Sequence, residues 1–188
     1  MHKRALGSIV LTPIVLTMMV ASHGVGRGQS LPAVKGAPAS VPKFEVHATM
    51  DQLMRGIFFP SSNVVFAAQS EDPAQIKPAS QPSVSPNLLT STFGQWTAVE
   101  NSSLALVEAA NLLLLPGRKC SNGVPVPVRN ADWGRFVEQL RDAGLASYKA
   151  AQSKNQDYII AAADPLTTAC SNCHGKYRDK PNAADRCK

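Results

Sequence analysis

The stretch NQDYIIAAADPLTTACSNCHGKYRDK, residues 155–180, carries the periodicity of a helix packed along its whole length. Ile159, Ala163, Leu166, Cys170, Cys173 and Tyr177 follow one another at steps of four, three, four, three and four. That seam belongs to a helix lying nearly parallel to its neighbours. Asp164-Pro165 also has the form of an N-cap followed by a first helical residue. Because the register runs through the pair unbroken, the expectation is one helix kinked at Pro165.

Upstream segments show the same kind of pattern. One begins near Asn130 and turns Trp133, Phe136, Leu140, Ala143 and Ser147 inward. Another begins near Thr92, carries Phe93, Trp96, Val99, Ser103, Leu106, Ala110 and Leu113, and stops at Pro116-Gly117. The first runs from about Glu45 to Gln69 with Val46, Met50, Leu53, Met54 and Ile57 on one face, and Pro60 should kink it or end its first part. No strand alternation and no internal repeat is visible. Four amphipathic segments joined by loops make an all-α, antiparallel four-helix bundle. The Pro-rich stretch 70–91, with Pro73, Pro78, Pro82 and Pro86, reads as disorder or as a partner-docking loop.

Composition agrees. The 188 residues are 44% hydrophobic and 17% charged, too apolar and too weakly charged for wholesale disorder and of a length for one domain. Aromatic residues are only 6%, which argues against a large aromatic-rich β-sandwich. At the N-terminus His2, Lys3 and Arg4 precede an apolar run from Ala5 to Ala21, the form of an export signal, with an uncleaved anchor as the alternative. The layout is therefore a signal peptide over residues 1–30, a flexible tether over 31–44 and the helical domain over 45–188. No stable membrane span remains once the signal is removed. The signal takes Lys3, Arg4 and Arg27 with it, leaving 16 basic against 13 acidic residues, too mild a balance for nucleic-acid binding.

The chemistry sits in Cys170-Ser171-Asn172-Cys173-His174, a C-x-x-C-H pattern. On a helix, positions i, i+3 and i+4 share one face. Two thiols can then form thioethers with the two vinyl groups of a haem while the adjacent imidazole reaches the iron. An export signal fits, because this attachment belongs to the oxidising side of a bacterial membrane. Three other readings compete: a thioredoxin-like dithiol, a zinc site recruiting Cys170, Cys173, His174 and Cys187, and a plain structural disulfide within the motif.

With CSNCHGKYR, residues 170–178, near the end of an exported chain of four helical segments, the sequence resembles the cytochrome c-prime group of class II c-type cytochromes. The resemblance covers residues 45–180. It implies one covalent haem c per chain on the last helix of a four-helix bundle, held by Cys170 and Cys173, with His174 as proximal iron ligand. It also implies a residue of the first helix on the far side of the iron, either an apolar blocker or a methionine. The long Pro-rich segments depart from the family pattern, and Cys120 and Cys187 are additional to it. Homodimers are common in that family.

With the first helix starting near Glu45, Met50 and Met54 fall ~8 and ~13 Å from its end, and His174 ~9 Å before a helix end near Lys180. Both methionines are thus at the haem's level, Met54 preferred as the deeper; each is either the distal ligand or ordinary core filling. His47 shares their face but sits near the helix start, where exposure to solvent is the expectation and iron ligation the alternative. Cys120 and Cys187 fall at the same end of an antiparallel bundle, so they form a disulfide or remain two thiols. Tyr177 is expected to pack on the porphyrin. Arg178 either pairs with a haem propionate or is a solvated helix-end arginine. Trp96 and Trp133 are expected as core anchors, with stacking near the macrocycle as the alternative for either.

The function expected is that of a periplasmic c-type cytochrome passing single electrons between redox partner proteins. The alternatives are a five-coordinate haem protein binding nitric oxide or carbon monoxide, and a helical interaction protein without haem. No Ser-His-Asp set, paired-carboxylate site or phosphate loop argues for an enzyme.

Overall fold

In the computed structural model, residues 43–188 are described; the expected signal peptide and residues 31–42 of the tether lie outside the described residues. Thr49 opens the first helix through a reciprocal capping box with Gln52. The Met50 N–H is taken by the Lys119 carbonyl at 2.9 Å. These contacts start the helix at Met50 rather than near Glu45, and Val46 precedes it.

The first helix is composite. An α-helical turn Met50–Leu53 passes into a π-helical turn Met54–Phe58 and then into an α-helical run Phe59–Ser70. Pro60 accounts for this, because it has no N–H to give the Gly56 carbonyl and its ring crowds that carbonyl in a regular α-helix. The wider π turn just before it, closed by the Phe59 N–H on the Met54 carbonyl, accommodates both. Pro60 therefore neither ends the helix nor divides it in two.

The second helix, Gln95–Ala110, continues as a 3-10 turn Asn111–Leu114. Its expected inner positions from Trp96 to Leu113 are buried, but Phe93 falls in the turn before the helix and is 70% exposed. The third helix is Ala131–Gln152. The fourth, Gln156–Tyr177, is capped by Asn155, whose side-chain oxygen accepts from the Asp157 N–H at 2.8 Å. It runs unbroken through Pro165. Ala161 and Pro165 both lie on the exposed side, where solvent can serve the carbonyl that loses its donor.

Two core clusters hold the four helices together. One joins Met50, Leu53 and Phe58 to Leu106, Leu113, Trp133, Leu140, Leu166 and Tyr177. The other joins Val64 and Ala68 to Trp96, Val99, Ala151 and Ile159. The second and third helices approach closely at Gly144, where a Cβ would stand 2.8 Å from Cγ2 of Val107. The buried hydroxyls of Ser103 and Ser147 are satisfied within their own helices by the carbonyls of Val99 and Ala143, at 2.8 and 3.0 Å.

Segment 70–91 is ordered, against the expectation of disorder. Three 3-10 turns, Pro73–Gln75, Pro82–Val84 and Leu88–Thr90, are linked by hydrogen bonds from Ala79 N–H to the Thr90 carbonyl and from Thr92 N–H to the Pro82 carbonyl. Leu89, 4% exposed, anchors the segment in the second core. The loop after the second helix is pinned by Arg118, which is buried and donates to the Ala48 carbonyl at 2.6 Å. No helix among the described residues is long and apolar enough to cross a membrane.

Candidate functional site

The fourth helix places Cys170, Cys173 and His174 on the wall of one cavity of about 370 Å³. The first helix supplies Met50, Met54 and Phe58 to the same cavity, and the neighbouring helices supply Leu106, Leu113, Trp133 and Leu140. Arg55, Arg178 and Arg186 also line it. A larger cleft of about 540 Å³ lies between the third and fourth helices. It contains Asp142, Asp164 and Asn172 but neither thiol nor imidazole, so the chemistry of the motif belongs to the first cavity.

Cys170 and Cys173 are half-buried and not bonded to one another. Burial pushes the Cys173 thiol up to about 11, with Cys170 and Asp132 acting in the same direction. Burial also raises Cys170, against the pull of Arg178. A dithiol oxidoreductase needs the reverse, a thiol held low by a positive site, and the described residues contain no sheet to carry such a motif. The imidazole of His174 is shifted down, first by burial and then by Arg178, with Asp179 opposing. That direction favours the neutral imidazole, the form whose lone pair can bind a metal.

Tyr177 is buried, its ring edge-on to Trp133 at 5.0 Å and Phe136 at 6.2 Å. Its hydroxyl donates to Asp132 Oδ1 at 2.6 Å. Tyr177 thus lines the cavity as part of an aromatic cluster that fixes the helix end. Arg178 lines the cavity but gives its Nε to Asp179 Oδ1, also at 2.6 Å. His47 lies outside the cavity, exposed and 3.5 Å from Glu45, as its place near the helix start implies. Trp133 donates from Nε1 to the Leu113 carbonyl at 3.0 Å, whereas Trp96 belongs to the other core cluster.

Cys120 and Cys187 form a disulfide, and both line the cavity. That bond removes Cys187 from any zinc set. Among the described residues no three His, Cys, Asp or Glu side chains stand close enough together to hold a metal ion.

No family model, curated protein or solved structure matches the chain. The site is therefore read from its own residues. Sequence reasoning missed Phe58, Leu106, Arg55 and Arg186 as cavity residues. Phe58 follows Met54 by four, a spacing already used for the methionines, so that signal was present. Arg186 precedes the disulfide cysteine directly, and only the folded tail shows where it lies.

Proposed function

We propose that this chain is an exported, periplasmic monohaem c-type cytochrome that transfers single electrons, not an enzyme. Its domain is read as an antiparallel four-helix bundle of the cytochrome c-prime kind. The sharing of core clusters supports that direction. The start of the first helix, the end of the second, the start of the third and the end of the fourth meet in one cluster. The opposite ends meet in the other. The disulfide suits an oxidising compartment.

The observation that carries the reading is the composition of one cavity, with two thiols and a neutral imidazole on one helix and two methionine thioethers on another. The donor set fits a haem c. Cys170 and Cys173 would hold its edge, His174 would be the proximal ligand, and Met54 or Met50 would stand on the distal side. When bound, the haem supplies a one-electron couple whose potential is set by its axial ligands and its burial. The protein's own part is to keep both thiols protonated until they are used. It also keeps His174 neutral and lines the space with apolar side chains that exclude water.

The apolar distal wall formed by buried Phe58 and Leu106 favours a second reading, an open site for nitric oxide or carbon monoxide. The visible spectrum of the matured ferrous protein separates the two. A low-spin spectrum unmoved by carbon monoxide is the expected result. A high-spin spectrum that shifts with the gas selects gas binding, and a protein matured with haem-attachment machinery that shows no haem bands refutes both.

A further inference from the structure

The tail beyond the fourth helix is fixed against the cavity. Cys187 is bonded to Cys120, 67 residues earlier, and its N–H donates to the Tyr177 carbonyl at 2.8 Å. The side-chain amide of Asn122 donates to the carbonyls of Ala183, Ala184 and Arg186 at 3.0, 3.4 and 3.1 Å. Cys187 holds φ at 64°, a left-handed conformation uncommon for a residue with a Cβ. These contacts make Arg186, Cys187 and Cys120 one wall of the cavity that contains His174.

The stretch that supplies this wall is net basic. Lys176, Arg178, Lys180, Arg186 and Lys188 accompany only two side-chain carboxylates, Asp179 and Asp185. Both carboxylates are engaged, Asp179 by Arg178 at 2.6 and 3.2 Å and Asp185 by Lys188 at 3.1 Å. On the facing rim Arg55 lies 3.8 Å from Asp51. Of the three guanidinium groups lining the cavity, Arg186 is the one with no carboxylate in ion-pair range among the described residues.

We propose that Arg186 is an anion-recognition residue of this cavity, held at its wall by the Cys120–Cys187 bond. Its ligand is a carboxylate of a planar, dicarboxylate macrocycle, so the inference rests on the haem reading above. Guanidinium and carboxylate match in a two-point, charge-assisted geometry that neither Lys188 nor the carboxylate-bound Arg178 offers. The tail thereby adds to the site a cation that the C-x-x-C-H helix does not itself provide.

Iron mesoporphyrin tests this directly. Its ethyl groups replace the vinyls, so it cannot form thioethers and any binding to the full chain, produced without haem-attachment machinery and therefore haem-free, is reversible. Titration with the diacid and with its dimethyl ester isolates carboxylate recognition. The wild-type chain is expected to bind the diacid more tightly. Arg186→Gln should lose about fivefold in diacid affinity, the worth of one partly exposed ion pair, and leave ester affinity unchanged. Arg186→Lys should retain part of the preference. Cys120→Ser/Cys187→Ser, with the tail released, should show the same loss as Arg186→Gln, and an undiminished preference there refutes the tether. A diacid-to-ester ratio unchanged in Arg186→Gln overturns the assignment and leaves the haem reading standing. Failure of the wild-type chain to bind either porphyrin overturns both.

Discussion

Tyr177, the last residue of the fourth helix, donates its hydroxyl proton to Asp132, the second residue of the third, across 2.6 Å. The bond ties two helix ends together beside the cavity and leaves its mark on both groups. Asp132 is held below the ordinary carboxylate range, chiefly by the Tyr177 hydroxyl. Tyr177 is raised, first by burial and then by the Asp132 hydrogen bond.

The signs give a pH window. A carboxylate whose folded pKa is depressed contributes stability that is present above its unfolded value and lost as pH falls through the folded one. A phenol whose folded pKa is raised contributes stability that is present below its unfolded value and lost as pH rises through the folded one. Tyr177→Phe keeps the edge-on contacts with Trp133 and removes the bond. Thermal melts across pH should show a variant less stable than wild type near neutrality, with the gap closing toward acid. A gap of constant size down to pH 2 would show that the bond contributes nothing through ionisation of Asp132.

The disulfide should dominate the stability of the cavity end. It closes a loop of 67 residues, for which loop entropy alone gives about 4 kcal/mol. Urea unfolding of Cys120→Ser/Cys187→Ser should show a loss of that order, and reductant should do the same to the wild-type chain without affecting the variant.

Much of this arrangement can be read in the sequence because it rests on local rules. The seam from Ile159 to Tyr177, the helix starts near Asn130 and Asn155 and the end of the second helix before Pro116 are matters of spacing and side-chain chemistry, and each appears in the structure. The first helix is less legible. Its start is set by a long-range bond from Met50 to Lys119, and its π turn by how Pro60 is accommodated. Segment 70–91 is proline-rich, yet Leu89 finds a place in a core that also draws Ala151 and Ile159 from far along the chain. In the site, the C-x-x-C-H residues are legible because one helix carries them. Arg186 is not, because its position depends on how the tail folds back.

Gly144 tests the packing of the second helix against the third. A β-branched side chain there would meet Val107 Cγ2 at 2.8 Å and the Ser103 carbonyl at 3.4 Å, with helix backbone close behind. Gly144→Val is expected to cost about 1–3 kcal/mol in spite of the better helix propensity of valine, because overpacking exceeds a gain of a few tenths. Gly134, with nothing within 4 Å of its notional Cβ, supplies the control. Gly134→Ala should stabilise by up to about 1 kcal/mol, as replacing a helical glycine with open space at its Cβ position does. Equal effects at the two positions in chemical denaturation would contradict this account of the interface.

The two methionines make the sharpest test of electron transfer against gas binding. Met50 is the first residue of its helix and 8% exposed, whereas Met54 begins the π turn and is half-buried on the same cavity wall. A π turn frequently marks a functional position, because it turns a side chain away from the direction regular helix would give it. Leucine replaces methionine at nearly constant volume, at a cost below about 1.5 kcal/mol, so both variants should fold. If Met54 ligates the iron, Met54→Leu converts the low-spin spectrum to one that responds to carbon monoxide and lowers the reduction potential, since thioether ligation raises it. Met50→Leu should leave spectrum and potential close to wild type. The converse pattern assigns the ligand to Met50. A wild-type protein that already binds carbon monoxide, with neither substitution changing its spectrum, assigns the distal side to Phe58 and its apolar neighbours and the protein to gas binding.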